Sequence, residues 1–246
     1  MLNRMKYSVD EQQVGFRKDR SCTDQIATLR IIVEESIEWN SPLHANFIDH
    51  EKAFDGVDRK TLWKLLRQYG VPEKIVNIVQ NSYEGLNCEI VHGGQLTNSF
   101  EVKTGVKQGC ILTPFLFLLV IDWIMKSSKS GGKHGIQWTA RTQLDDLDFV
   151  YYLALLSQFQ QQMQEKTASV VVASTAVGLN IHKGKSKILR YNTACINRIT
   201  LDGENLEDVK TFTYLGSMVD EHSGSDADVK AWIGKARAAH LQLKNI

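Results

Sequence analysis

The sequence is short of cysteine. Its four, Cys22, Cys88, Cys110 and Cys195, form neither a C-x-x-C pair nor a zinc-ligand spacing, so a structural zinc site is excluded and free thiols in a reducing compartment are expected. An excess of one charge is also missing. With 29 basic side chains against 28 acidic ones the formal net charge is +1, so no global positive field announces a polyanion binder and only a local basic face is left open. Long hydrophobic runs are absent too. The longest, Ile111 to Ile124, is interrupted by Thr113, Pro114 and Asp122 and is too short to span a bilayer. The N-terminus lacks the apolar core of a secretory signal, and no membrane partner is expected. Of only three prolines, Pro42 and Pro114 stand beside segments that carry candidate chemistry. What the chain does have is 43% hydrophobic residues over 246 positions, enough for one sizeable core or two modest ones.

The organising stretch runs from Ala45 to Asp55. An apolar, strand-like segment, Leu43 to Ile48, ends in three acids within seven residues: Asp49, Glu51 and Asp55. A carboxylate at the end of a buried strand is costly to desolvate unless it is hydrogen-bonded or meets a cation. Asp49 therefore reads either as a metal-binding acid or as a turn or capping acid at a strand-to-helix junction, since Asp58 followed by Arg59 to Tyr69 has the pattern of a capped helix.

Around this stretch the hydrophobic period alternates between helix and strand. Ile26, Leu29, Ile32, Val33 and Ile37 recur at helical spacing between Asp24 and Trp39. Leu62, Leu65 and Leu66 mark a second helix, stopped by Gly70. Pro72 opens a third, Glu73 to Tyr83, with Ile75, Ile78 and Val79 predicted to face inward. From Asn87 to Val102 the pattern becomes that of a hairpin about Gly93-Gly94. Then comes Gly105-Val106-Lys107-Gln108-Gly109, a loop whose glycines suggest close backbone approach. Thr113 is the predicted N-cap, with Pro114 in the first turn, of a helix to about Met125. Leu144 to Leu156 reads as two short strands pinched at Val150–Tyr152. Gln158 to Val177 reads as a helix with Phe159, Met163, Thr167, Val170, Val171 and Ser174 on a semi-apolar stripe. Short strands follow at Ser186–Arg190, Arg198–Leu201 and Thr211–Tyr214, and a basic helix closes the chain from Ser225. Near the N-terminus, Arg17, Lys18 and Arg20 cluster on a turn after Gly15. They read as phosphate contacts or as an ordinary solvated loop.

Taken in order, Gln13-Val14-Gly15-Phe16-Arg17, Phe47-Ile48-Asp49 through Ala53-Phe54-Asp55, Gly105 to Gly109 with Thr113-Pro114, Gly178-Leu179-Asn180-Ile181 with Lys185-Ser186-Lys187, and Phe212-Thr213-Tyr214-Leu215-Gly216 resemble the reverse transcriptase domain of non-LTR (LINE-like) retrotransposons. The resemblance runs from about residue 11 to the end. It implies an α+β, right-hand polymerase fold whose palm is an antiparallel sheet backed by helices. It also implies partial fingers over residues 1–40, a palm over 41–217 and a partial thumb or C-terminal helix over 218–246. The family's activity is RNA-directed DNA polymerisation, a nucleotidyl transfer that uses Mg2+ or Mn2+, an RNA template, a DNA primer and deoxynucleoside triphosphates. A nuclear place of action follows from the family, although no basic import run is visible.

Residue by residue, the resemblance makes Asp49 the first metal-binding acid and Phe54 the aromatic group that excludes a ribose hydroxyl. Gln108 and Gly109 match the loop that faces the incoming nucleotide, and Lys185 or Lys187 matches a lysine near the triphosphate. Tyr214 and Gly216 match a hairpin that grips the primer, and Arg17 and Arg20 a basic lip of the fingers. The family's second acid motif, Phe-Ala-Asp-Asp, reads here Phe149-Val150-Tyr151-Tyr152. Tyrosine is neutral near pH 7, with an ordinary pKa of ~10, and cannot bridge two divalent ions as a carboxylate does. Asp145, Asp146 and Asp148 lie just upstream. Strand alternation puts Asp146 and Asp148 on one face, with Asp148 ~10 Å along the backbone from the first lost acid. Four readings follow: a catalytically impaired fragment, an active metal-dependent polymerase using Asp49 with unusual partners, a non-catalytic nucleic-acid-binding module using Lys183, Lys185, Lys187 and Arg190, or a relic with no selected role.

Overall fold

The computed structural model describes residues 15, 19–129, 135–137, 143–150, 152–194, 197–221 and 226–243. Helix α1 (Cys22–Glu38) opens on a capping box in which Ser21 and Asp24 satisfy each other's backbone N–H groups, so it begins two residues before the periodic pattern does. Strand β1 (Leu43–Glu51) runs three residues past its expected end at Ile48. The reason is continued pairing: Asp49 opposes Tyr152, His50 opposes Ile181 and Glu51 opposes Asn180. Asp49 is thus inside the strand. A short α2 (Ala53–Gly56) leads to α3 (Arg59–Gln68), capped by the Asp58 carboxylate, which accepts from the Thr61 N–H at 2.7 Å. The capping role weighed for Asp49 therefore belongs to Asp58.

Helix α3 buries Leu62, Trp63, Leu65 and Leu66. Helix α4 (Glu73–Asn81) buries Val76 and Val79, whereas Ile75 and Ile78, expected to face inward, are 40% and 57% exposed. Adjacent helical positions differ by ~100°, and here two apolar stripes compete. Packing against α3, not side-chain size, selects between them.

Strands β2 (Asn87–Cys88), β3 (Val91–His92), β4 (Gln95–Leu96) and β5 (Phe100–Glu101) form the expected hairpin, with Val91 opposite Leu96 and Cys88 opposite Phe100. Helix α5 (Thr113–Ser128) is buried along most of its length. Its N-cap is Leu112 and not Thr113; the Thr113 hydroxyl donates to the Lys107 carbonyl and ties down the preceding loop.

After β6 (Ile136–Gln137) and β7 (Gln143–Leu144) come β8 (Asp146–Phe149) and β9 (Tyr152–Ser157), the expected pinched pair. Helix α6 (Gln160–Ala176) buries Met163, Thr167, Val170, Ala173 and Ser174; Phe159 precedes it as N-cap and is exposed, off the predicted stripe. The remaining elements are β10 (Asn180–Ile181), β11 (Lys187–Tyr191), β12 (Thr200–Leu201), β13 (Glu204–Asn205), β14 (Glu207–Asp208), β15 (Thr211–Tyr214), β16 (Ser217–Asp220) and α7 (Asp226–Leu243).

The main sheet has the order β14-β11-β1-β9-β8, with β10 pairing with the end of β1. Its pairs are antiparallel except at one edge, where β14 runs parallel to β11. To the expected antiparallel sheet this adds one parallel edge pair: the segment between those strands, carrying the β12–β13 hairpin, supplies the crossover a parallel pair requires. One face of the sheet, with Ile48, Leu153, Leu155 and Ile188, packs under α3, α5 and α6. The other, with Ala45, Phe47, Ala154, Leu156 and Leu189, packs under α1 and the β15–β16 hairpin. At ~1.5–3 kcal/mol for each large apolar side chain fully removed from water, these two layers hold β1 at the centre.

Two buried hydrogen bonds set β1 on α6. Asn46 Nδ2 donates to Thr167 Oγ1 at 2.8 Å, and His50 Nε2 lies 3.0 Å from Ser174 Oγ. Four strand residues span ~13 Å and seven helical residues ~10.5 Å, so both contacts are met along one line. The strand that carries Asp49 is thereby fixed in register on the helix behind it.

Candidate functional site

Asp49, Tyr152 and Phe149 form one row across three strands: Tyr152 opposes Asp49 on one side and Phe149 on the other. Residues directly opposed in an antiparallel pair point to the same face. Asp146 opposes Leu155 and Asp148 opposes Leu153, so those two acids share the helix-covered face with Leu153 and Leu155, opposite to Asp49. Tyr151 lies outside the described residues. The turn between the strands holds Val150 at φ 58°, a left-handed conformation that a β-branched residue adopts at a cost of ~1–3 kcal/mol.

The acids upstream of the turn have structural roles. Lys166, in α6, is largely buried; its Nζ donates to the Asp145 and Leu156 carbonyls at 2.8 and 2.7 Å and lies 3.4 Å from the Asp145 carboxylate. Burial lowers the Lys166 pKa, and the Asp145 and Asp146 carboxylates oppose that shift. Asp146 is 3.7 Å from Lys129 at the end of α5. Edge strand β8 is therefore fastened to the helix layer by two lysine–aspartate pairs.

Asp49 is clasped by the turn between β10 and β11. Its carbonyl accepts from the His182 N–H at 2.8 Å, its N–H lies 3.4 Å from Ser186 Oγ, and its carboxylate is 3.6 Å from Lys185 Nζ. Of the two lysines weighed, Lys185 is the one beside Asp49, whereas Lys187 pairs with Glu207 on β14. The other cations of the supposed basic patch are also matched: Lys183 with Glu204 and Asp202, Arg190 with Asp208. Lys183, Lys185, Lys187 and Arg190, expected to form a local basic face, each have an acidic partner here: Lys187 and Arg190 on β14, which lies beside β11, Lys183 on the β12–β13 hairpin, and Lys185 in Asp49.

The glycine loop does approach something closely. A Cβ on Gly105 would lie 2.6 Å from Asp55 Cα and 2.7 Å from the Phe54 carbonyl, and the Val106 N–H donates to that carbonyl at 2.7 Å. Phe54 is half-buried, with its ring 4.5 Å from that of Phe117. Gln108 and Gly109 are exposed. The loop is gathered by Arg59, whose guanidinium donates to the Gly105, Val102 and Thr104 carbonyls at 2.8, 2.7 and 2.9 Å and stacks on Tyr83. Nothing in the neighbouring residues marks Arg59 as the anchor of this loop or Lys166 as a buried charge.

Tyr214 is not available to a ligand. It is 1% exposed, its hydroxyl donates to the Leu147 carbonyl, and burial, then the Asp148 and Asp146 carboxylates, push its pKa far above the ordinary value. Its ring lies 5.5 Å from that of Phe47, on which Phe212 also stacks at 4.2 Å. Tyr214, expected at a primer-gripping hairpin, packs in the core of this structure. Gly216 is exposed at the hairpin turn, where Leu215 and Gly216 both have positive φ. Arg20 is exposed, and Arg17 lies outside the described residues.

A family model described as "Reverse transcriptase (RNA-dependent DNA polymerase)" matches residues 1–219. The chain belongs to the reverse transcriptase family. This reverse transcriptase domain is 30% identical over 179 residues, 72% of its length, to the retrovirus-related Pol polyprotein from type-2 retrotransposable element R2DM of Drosophila melanogaster, of which it covers 16%. It is 21% identical over 216 residues, 87% of its length, to the RNA-directed DNA polymerase from mobile element jockey of Drosophila funebris, covering 23% of that protein. The domain spans less than a third of the curated relatives it matches. These relatives place it with the non-LTR retrotransposon Pol proteins. Apo telomerase from Candida tropicalis, truncated from its C-terminal domain, shares the fold with a TM-score of 0.63 at 12% identity, over 90% of this chain and 43% of that one. The palm architecture, a central sheet backed by helices, is common to both.

Family membership implies catalysis dependent on Mg2+ or Mn2+. The residues do not fit such a pair of ions. Asp49 is the only carboxylate in its row, its cross-strand neighbour is Tyr152, and Asp146 and Asp148 face the other way. Among the described residues, no group of three or more His, Cys, Asp or Glu side chains is arranged to hold a metal. No described helix is long and apolar enough to cross a membrane.

Proposed function

We propose that this chain is a reverse transcriptase domain that retains the palm and Asp49 but has lost nucleotide transfer. The observation that carries the reading is the row Asp49–Tyr152–Phe149, with the nearby acids on the opposite face of the sheet. Transfer of a nucleotide to a primer 3′ hydroxyl needs cations held by several converging carboxylates. A neutral phenol beside Asp49 leaves too little negative charge to hold two ions ~3.5–4 Å apart.

The finer assignments belong to the same reading. Residues 1–40 are partial fingers and a leading helix, 41–217 the palm and 218–246 a partial thumb or C-terminal helix. RNA template and DNA primer are the partners the family supplies, and the nucleus is its place of action. Gln108 and Gly109, exposed on a loop anchored by Arg59, are the positions best placed to touch a nucleotide or template. The basic-patch version of a nucleic-acid-binding module is disfavoured by the ion pairs of Lys183, Lys187 and Arg190.

Primer extension on an RNA template, with Mg2+ and separately with Mn2+, tests the reading. No incorporation is expected from the purified chain. Incorporation that disappears in Asp49→Ala would overturn it.

A further inference from the structure

One carboxylate joins three parts of the molecule. Asp228, in the first turn of α7, is 2.7 Å from Arg30 Nη2 of α1. It accepts from the Met218 N–H at 2.8 Å and from Ser217 Oγ at 3.0 Å, both at the start of β16. Trp232, one turn further along α7, adds a side-chain hydrogen bond. Arg30 in turn donates to Ser217 Oγ at 3.0 Å, which closes an Arg30–Ser217–Asp228 triangle. Both charged side chains are mostly buried, at 22% and 15% exposure. Charge-assisted bonds in that setting are shorter and stronger than neutral ones and are less screened than at the open surface.

Beyond this point α7 has little hold on the body. Val229, Trp232, Ile233, Leu241 and Leu243 are all exposed. The hairpin that receives Asp228 is itself packed through Phe212 and Tyr214 onto Phe47, two residues from Asp49 on the same face of β1. We infer that Asp228 is a latch that docks helix α7 onto α1 and the β15–β16 hairpin, and that the seating of α7 is thereby coupled to the hairpin beside the Asp49 strand. A helix with so few apolar contacts of its own belongs to the low-stability end of the fold, and its opening is governed by the contacts at its anchored end. This inference does not depend on whether the domain transfers nucleotides.

Amide hydrogen exchange by mass spectrometry on the whole chain tests it. In Asp228→Asn, which keeps the side-chain shape and removes the charge, exchange across 226–243 should accelerate by about ten-fold, and that of 211–220 should rise with it. Residues 59–68 in α3 should be unchanged. Unchanged exchange in α7 would overturn the latch, as would acceleration throughout the chain, which marks a general loss of stability. Acceleration in α7 without the hairpin would overturn the coupling. The milder Arg30→Lys keeps a cation near Asp228 but loses the fork. It should give an intermediate acceleration of α7, and no change there would equally count against the latch if Asp228→Asn does not fold. A wild-type α7 that already exchanges like an unanchored peptide would also refute it.

Discussion

Asp49 and Tyr152 stand directly opposite each other across the β1–β9 pair, and the hydroxyl-bearing ring occupies the row that metal chemistry requires for acids. The double change Tyr151→Asp with Tyr152→Asp should therefore make the chain bind Mn2+ more tightly than the wild-type chain does. Titration calorimetry or the loss of the free Mn2+ spin-resonance signal would show it. Adding Asp49→Ala to the double variant should weaken that binding at least about ten-fold, ~1.4 kcal/mol, if both positions share one ion. Equal binding with and without Asp49 would mean that the ion sits elsewhere.

Lys166 is the buried fastener of the edge strand that leads into the Val150 turn. Lys166→Ala should destabilise the chain by about 2–4 kcal/mol in urea unfolding, since it strands the Asp145 carboxylate and two carbonyls. The contrasting change Lys183→Ala removes a solvent-exposed pair with Glu204 and should leave the urea midpoint nearly unchanged. Equal effects would show that Lys166 is not buried as described.

His44 sits in β1 between Ser157 and Arg190 on the neighbouring strands. Burial, reinforced by the Arg190 guanidinium, holds its pKa below the ordinary 6.5, against the pull of a Ser157 backbone hydrogen bond and of Asp208. The unfolded chain therefore takes up this proton first as pH falls. Stability linked to His44 is complete above 6.5 and is lost as pH drops through and below that value. The urea midpoint should fall from pH 7.5 to pH 5.5, and His44→Gln should flatten that part of the profile. A profile unaltered by the change would remove His44 as the cause.

Gly105 and Gly109 both have positive φ, but only the first is crowded. Gly105→Ala would drive its Cβ into the Asp55 backbone and should destabilise by more than about 3 kcal/mol, a steric cost added to the conformational one. Gly109→Ala meets nothing within 4 Å and should cost only about 1 kcal/mol. Thermal unfolding of the two variants distinguishes a packed glycine from a merely bent one.

How far the site can be read from the sequence depends on the range of the interaction. Asp58 as a cap, the Gly93-Gly94 hairpin and the pinch at Val150 are local, and they emerge from neighbouring residues alone. That Asp146 and Asp148 share a face follows from strand alternation. Which face it is required the pairing of β8 with β9 and of β9 with β1. Tyr214 matched a ligand-facing motif and is buried, because the docking of its hairpin on Phe47 is a contact across more than 160 residues of chain. Lys183, Lys187 and Arg190 read locally as a basic patch, since their acidic partners lie 18 to 21 residues downstream and meet them only when the chain has folded back on β11.

By itself, the sequence determined the family, the order of helices and strands and the replacement of two acids by Tyr151 and Tyr152, because each of these is written in residue identity or short-range period. The tertiary structure alone decided that Asp49 faces Tyr152, that Lys185 and not Lys187 stands beside it, that Tyr214 belongs to the core and that Asp228 holds α7. Those are matters of which distant side chains share a face and which charges are withdrawn from water, and both are settled only when strands pair and layers close.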